Sequence, residues 1–231
     1  MIADRVAAVR ERIARAALRA ARPTESVTLV AVSKTFPAEA VRAAFAAGLR
    51  DFGENRVQEA EPKIASLGEL GAGLRWHLVG HLQTNKARRA AVLFELVHSV
   101  DSSDLGRRLA RAAQEAGRTL RALVQVDLAG EQAKFGVDGE RLLPLLEELR
   151  GLGGLRVEGL MLLPPFFEDP QAARPYFARL RSLRDQAAAA GLLAGGELSM
   201  GMSHDLEVAV EEGATMVRVG TAIFGERQAA A

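Results

Sequence analysis

The chain has 231 residues, 48% hydrophobic and 26% charged, the proportions of an ordinary globular protein. Its 30 basic and 29 acidic residues sum to +1, so no strong field draws it to nucleic acid or to an anionic membrane. The absence of cysteine excludes a disulfide framework, a Cys-ligated metal site and a thiol nucleophile, and it fits a cytoplasmic protein.

Residues 1–22 read as an amphipathic helix, with Ile2, Val6, Val9 and Ile13 on one stripe and a solvated Arg-rich face opposite. The segment lacks the continuous apolar stretch of a signal peptide, and no long apolar window that would span a membrane follows. Eight short, β-branched apolar runs come next, at 27–33, 50–53, 75–79, 96–100, 122–127, 156–162, 197–200 and 216–219. Each lies between turn signals, as buried parallel strands do. Helical stretches are predicted between them at 38–47, 57–66, 86–93, 103–116, 139–149, 170–190 and 204–212. Pro37 and Pro170 sit at helix starts, and Gly48, Gly117, Gly191 and Gly213 follow helix ends. Eight strands with seven intervening helices and no linker argue for one closed (β/α)8 TIM barrel domain over residues 1–231. The Ala-rich end, Gln228–Ala231, is expected to fray. An open doubly wound sheet would show a Gly-rich first turn, and the first turn here is Ser33-Lys34-Thr35-Phe36-Pro37.

Chemistry in such a barrel sits at the C-terminal ends of the strands. Only four basic residues are Lys, at 34, 63, 86 and 134, and three of them fall in strand-end loops. Lys63 lies in a helix and reads as a solvated charge. Lys34 ends the first strand, where two readings are open. It can snorkel to solvent, or, partly desolvated, it can attack an aldehyde as a neutral amine. Gly201-Met202-Ser203 after strand 7 and Gly220-Thr221-Ala222 after strand 8 form two small-residue loops. Loops at these two positions recurrently hold phosphate. Ser203 is placed to cap the helix at 204–212. A strand-1 lysine facing a phosphate cup suggests a phosphorylated aldehyde, either pyridoxal phosphate or a sugar phosphate held by a Schiff-base aldolase. His77 and His81 do not share a helix face, so no metal site is expected. His98 reads as a satisfied strand residue, His204 as a helix-start residue near the phosphate cup, and Trp76 and most Phe residues as core.

Five segments together resemble a known family. They are Ala31-Val32-Ser33-Lys34, Phe52-Gly53-Glu54-Asn55, Trp76-His77-Leu78-Val79-Gly80 with Leu82-Gln83-Thr84-Asn85-Lys86, Ser199-Met200-Gly201-Met202-Ser203 with Asp205, and Arg218-Val219-Gly220-Thr221-Ala222-Ile223-Phe224-Gly225. They are similar to the pyridoxal phosphate homeostasis proteins, in order from about Val27 to Arg227. One position departs: the family's fifth-strand loop usually begins with Asn, and here it begins with Asp127, although Glu131, Lys134 and Gly136 follow at the family spacing. The resemblance implies an alanine racemase N-terminal-type barrel, fold type III among pyridoxal phosphate proteins, with pyridoxal 5′-phosphate bound as an imine. By position, Lys34 would hold the aldehyde carbon. Ser203, Gly220 and Thr221 would hold the phosphate, and Arg218 would face the pyridine nitrogen. Asn55 would lie beside the ring and Met161 would border the pocket.

The resemblance further implies a carrier that keeps free cofactor and linked amino- and keto-acid pools in balance. No catalytic residue is assigned. Expected partners are small molecules, namely the cofactor and amino acids, together with apo pyridoxal phosphate enzymes that receive it. A monomer is expected. A weak racemase is the alternative. An Arg opposite the pyridine nitrogen can only donate hydrogen bonds and leaves the ring a poor electron sink, which argues against transamination and leaves racemisation open. Racemisation needs an acid/base on each face of the α-carbon. The only Tyr is Tyr176, in the helix after strand 6, and no added β domain is expected here to supply another.

Overall fold

The computed structural model describes residues 1–130 and 135–226. Its strands are β1 (Thr28–Val32), β2 (Asp51–Glu54), β3 (Arg75–Leu78), β4 (Leu96–Val100), β5 (Leu120–Asp127), β6 (Val137–Asp138), β7 (Leu155–Leu162), β8 (Glu197–Ser199) and β9 (Met216–Val219). All pairings are parallel, and the ring runs β1-β2-β3-β4-β5-β7-β8-β9 and back to β1. Eight strands therefore close a TIM barrel, and β6 pairs only with β5, outside the ring.

The helices are α1 (Ile2–Arg19), α2 (Ala38–Ala46), α3 (Val57–Leu67), α4 (Glu69–Ala72), α5 (Ala87–Leu93), α6 (Ser103–Glu115), α7 (Leu142–Leu149), α8 (Arg174–Ala189), α9 (Leu206–Glu211) and α10 (Thr221–Phe224). Their origin is legible in α6. Ser102 Oγ accepts the Leu105 N–H at 3.4 Å, and Leu105, Leu109, Ala112 and Ala113 bury one stripe. The largest apolar cluster fills the layer between helices and strands. A second, smaller cluster of Val30, Leu96, Leu123, Met161 and Met216 comes from strands alone and lies inside the barrel.

Several boundaries differ from expectation for local reasons. The stretches at 139 and 170 open as 3-10 turns, because Asp138 and Asp169 accept the N–H groups two residues on, at 2.8 and 2.9 Å. β6 and α4 have two and four residues, too few for a periodic signal. The Arg face of α1 is not simply solvated. Arg12 forks onto Glu207 at 2.6 and 2.7 Å, fastening α1 to α9. Among the described residues no helix is long and apolar enough to cross a membrane. Arg227 and Gln228–Ala231 lie outside the described residues.

Candidate functional site

The closing seam of the barrel assembles most of the expected residues. β1 and β9 align Val30 with Arg218 and Ala31 with Val219. That register sets the Lys34 turn beside the 220–222 loop. A Cβ on Gly220 would stand 3.3 Å from the Val32 carbonyl oxygen, so this loop lies against the end of β1. Lys34 is half-buried.

The turn that carries Lys34 is strained. Thr35 has φ +66°, a left-handed conformation that a β-branched residue rarely adopts. Neighbouring contacts hold it there. Phe36 N–H bonds the Ser33 carbonyl at 3.1 Å, and the Phe36 ring packs on Phe224 with centroids 5.1 Å apart. Beneath the turn, Ser33 Oγ donates to Glu54 Oε1 at 2.7 Å. Lys63 Nζ donates to the same oxygen at 2.6 Å and to the Ser33 carbonyl at 2.7 Å. The expectation of a solvated Lys63 is thus wrong: its side chain is 10% exposed and its carboxylate partner 0%. Lys63 lies on the α3 face that packs on β2, where a charge is tolerated only because it is paired. Burial pushes the Glu54 carboxyl above its ordinary range, against the pull of Lys63, and Glu54 Oε2 is buried without a partner.

The two small-residue loops meet. Ser203 Oγ accepts the Ala222 N–H at 3.3 Å. Ser203 is not the residue that caps α9: the helix begins at Leu206, and Asp205 precedes it. Gly201, with φ +90°, redirects the chain after β8, and Asp205 Oδ1 takes the Met202 N–H at 2.6 Å. A Cβ on Gly201 would lie 2.5 Å from that of Ala209, so only glycine fits. Arg12 adds a bond to the Ser203 carbonyl at 3.0 Å, which pins this loop from α1.

Arg218 is 4% exposed and donates to Ser199 Oγ at 2.6 Å and to the Leu162 carbonyl at 2.8 Å. Burial pushes its pKa down to about 10, with Asp205 opposing, and it stays a cation at neutral pH. Met161, next to Leu162, is fully buried in the interior cluster. Asn55 is half-buried and opens onto a cleft of about 670 Å³, shared with Arg56, Gln58, His81, Gln83 and Lys86.

Residues that sequence reasoning did not connect form a polar chain through the barrel. Ser199 Oγ lies 2.8 Å from His98 Nδ1, His98 Nε2 lies 2.9 Å from His77 Nδ1, and His77 Nε2 lies 3.1 Å from Asp51 Oδ1. Arg75 closes the far end with two bonds to Asp51 at 2.7 and 2.6 Å. The signal was partial: His77 and His98 stand inside β3 and β4, whereas Asp51, Arg75 and Ser199 stand at strand ends, where polar residues are ordinary. His98 is the satisfied strand residue expected. His204 is exposed, bonds the Glu168 carbonyl at 3.0 Å and tilts against Phe166. Asp127 accepts the N–H groups of Ala129 and Gly130 at 2.9 and 3.2 Å, a role the amide oxygen of Asn would fill equally. Glu131 and Lys134 lie outside the described residues.

This donor set fits a phosphorylated pyridine aldehyde. It combines a half-buried amine at a strand end, a small-residue cradle with a hydroxyl beside it, and a buried guanidinium two residues before that cradle. The fold and site define a class, the alanine racemase N-terminal-type barrels. Residues 5–228 match the family model described as alanine racemase, N-terminal domain. The pyridoxal phosphate homeostasis protein of Aquifex aeolicus is 43% identical over 97% of this chain and 98% of its own length. That of Pseudomonas aeruginosa is 46% identical, covering 98% and 96%. PipY of Synechococcus elongatus PCC7942, solved with PLP bound, is 44% identical, with a TM-score of 0.85 over 97% of this chain and 100% of that one. The chain belongs to the alanine racemase N-terminal domain family and, within it, to the pyridoxal phosphate homeostasis proteins.

Proposed function

We propose that this protein holds pyridoxal 5′-phosphate covalently on Lys34 and serves vitamin B6 homeostasis as a carrier without catalytic turnover. The observation that carries the reading is the β1–β9 register, which sets the half-buried Lys34 turn beside the cradle at Gly220. The bound cofactor supplies an electrophilic aldehyde carbon and a chromophore. Lys34 Nζ would take the bond to that carbon as the aldehyde oxygen leaves as water, a task for which Arg is unsuited. Ser203 and the backbone of Gly220 and Thr221 receive the phosphate, and small side chains let it approach the amides. Arg218 donates toward the pyridine nitrogen and keeps a proton off it. Asn55 and Met161 border the ring.

In this reading the chain works as a one-domain cytoplasmic monomer. Its ligands are the cofactor and amino acids that exchange with it, and apo pyridoxal phosphate enzymes are the recipients. The ring electronics at Arg218 disfavour transamination, and the carrier reading accords with the name that the relatives carry.

Borohydride reduction of the loaded protein, followed by peptide mapping, tests the site. The label is expected on Lys34, and a label on Lys63 or Lys86 overturns the assignment. Incubation with single L-amino acids in deuterated water tests the carrier reading, which α-proton exchange on a catalytic timescale defeats. Transfer to an apoenzyme, compared with release into solution, separates directed delivery from storage.

A further inference from the structure

With both imidazoles neutral, the polar chain inside the barrel has one consistent set of hydrogens. Asp51 is a carboxylate, held down to about 2 because bonds from Arg75 and His77 outweigh its burial. It can only accept, so His77 Nε2 carries a hydrogen. A neutral His77 then accepts at Nδ1 from His98 Nε2–H. Neutral His98 accepts at Nδ1, so Ser199 donates its hydroxyl hydrogen there. Ser199 Oγ is left as an acceptor, and Arg218, which can only donate, fills it. Every donor meets one acceptor. Burial, with the Arg218 and Arg121 cations nearby, keeps His98 neutral. With Arg218 at about 10 and Asp51 at about 2, the two charges stay at the ends and no proton travels between them.

The ends lie at opposite mouths. Arg218 sits by the C-terminal seam. Asp51 and Arg75 begin β2 and β3 and line a groove of about 360 Å³ with Thr28 and Arg10 at the N-terminal mouth. A guanidinium buried with two acceptors at fixed directions has little freedom to turn.

We infer that Ser199, His98, His77 and Asp51 are positioning residues for Arg218, a one-way hydrogen-bond chain that fixes its guanidinium as a donor toward the bound ring, with both imidazoles locked as neutral Nε2–H tautomers. The inference rests on the proposed placement of Arg218 at the cofactor nitrogen. It assigns no catalytic step to these residues.

The tautomers are read first, without cofactor. Nitrogen-15 NMR of histidine-labelled apoprotein at pH 7 is expected to show His77 and His98 with protonated Nε2 and bare Nδ1. An Nδ1–H tautomer or a charged ring at either position overturns the chain. The second measurement loads pyridoxal phosphate labelled with nitrogen-15 in its ring. In Ser199→Ala the ring nitrogen resonance is expected to move toward the protonated value, and the cofactor is expected to leave about tenfold faster. Ser199→Thr, which retains the hydroxyl, is expected to restore both. A ring resonance unmoved in Ser199→Ala, with the borohydride label still on Lys34, overturns the positioning role and leaves the proposed function standing. A label elsewhere defeats the proposed function and the role toward the ring with it, while the tautomer measurement still reports whether the hydrogen-bond chain exists.

Discussion

Two buried ionic groups flank the seam, and they solve the same problem differently. Under the Lys34 turn, Glu54 and Lys63 meet directly at 2.6 Å. Inside the barrel, the Arg218 cation and the Asp51 anion never touch, and Ser199, His98 and His77 stand between them. The first arrangement draws backbone together: Lys63 grips the Ser33 carbonyl, and the strained Thr35 turn stays folded. It also leaves Glu54 Oε2 unsatisfied. The second arrangement leaves no hydrogen-bonding group of its imidazoles unmatched and aims a side chain across the barrel. A direct pair holds a position, whereas a chain of neutral links holds an orientation. Burial is harder on the direct pair, because removal of either partner strands a charge.

That contrast sets the order of expected effects. Lys63→Met leaves the Glu54 carboxylate buried and unpaired, and unfolding in urea is expected to lose about 3–5 kcal/mol. Adding Glu54→Leu is expected to recover most of that loss. If the single variant unfolds like the parent protein, the clamp is not what holds the turn. His98→Leu removes neutral links only, so its cost is expected near 1–3 kcal/mol from the partners left without a mate. If it costs more than Lys63→Met, the ranking of the two groups is reversed.

The titration of His98 gives a signed test of the same chain. Its folded pKa lies well below the ordinary value of 6.5, because burial disfavours the charged ring. The unfolded chain therefore binds the proton first. The stabilising contribution of neutral His98 is complete above the unfolded pKa and is lost as pH falls below it. Unfolding free energy is expected to fall below about pH 6.5, with a slope of up to about 1.4 kcal/mol per pH unit from this residue. His98→Leu is expected to remove that slope. The Asp51 contribution runs in the same direction but fades only between its unfolded value of 3.8 and about 2. The smallest expected effect is at the phosphate loop. Ser203→Ala removes one hydroxyl ligand, and cofactor release is expected to quicken about fivefold, equivalent to ~1 kcal/mol. Equal release rates would remove Ser203 from the phosphate site.

Much of this was written in the chain. The eight ring strands follow from short apolar runs between turns, because a strand buried on both faces has to be continuously apolar. Lys34 was legible from its place after β1, and the two cradles from their small residues. Lys63 misled because helix position alone cannot tell a solvated face from one packed on β2. The chain from Arg218 to Asp51 was hidden for a different reason. His77 and His98 are 21 residues apart in sequence and meet only because β3 and β4 are neighbours in the ring. Register, not composition, places them 2.9 Å apart. Ser203 was given a helix cap because serine favours that position, but the helix begins three residues later, at Leu206, and the Ser203 hydroxyl meets the Ala222 N–H instead.

The grip of α1 on the far end of the chain has a consequence for biosynthesis. Arg12 holds Glu207 and the Ser203 carbonyl, and Arg22 holds the Val210 and Ala214 carbonyls. β1, meanwhile, pairs with β9. Residues of α1 and the turn after it are thus completed by residues 188 to 195 positions further on, contacts of very high sequence separation. On the ribosome, Lys34 emerges early and waits beside an unfinished wall. The cradle beside it exists only after Thr221 and Ala222 have left the exit tunnel. On the proposed placement of the cofactor at Lys34, a chain stopped before Thr221 would have no cradle to hold it.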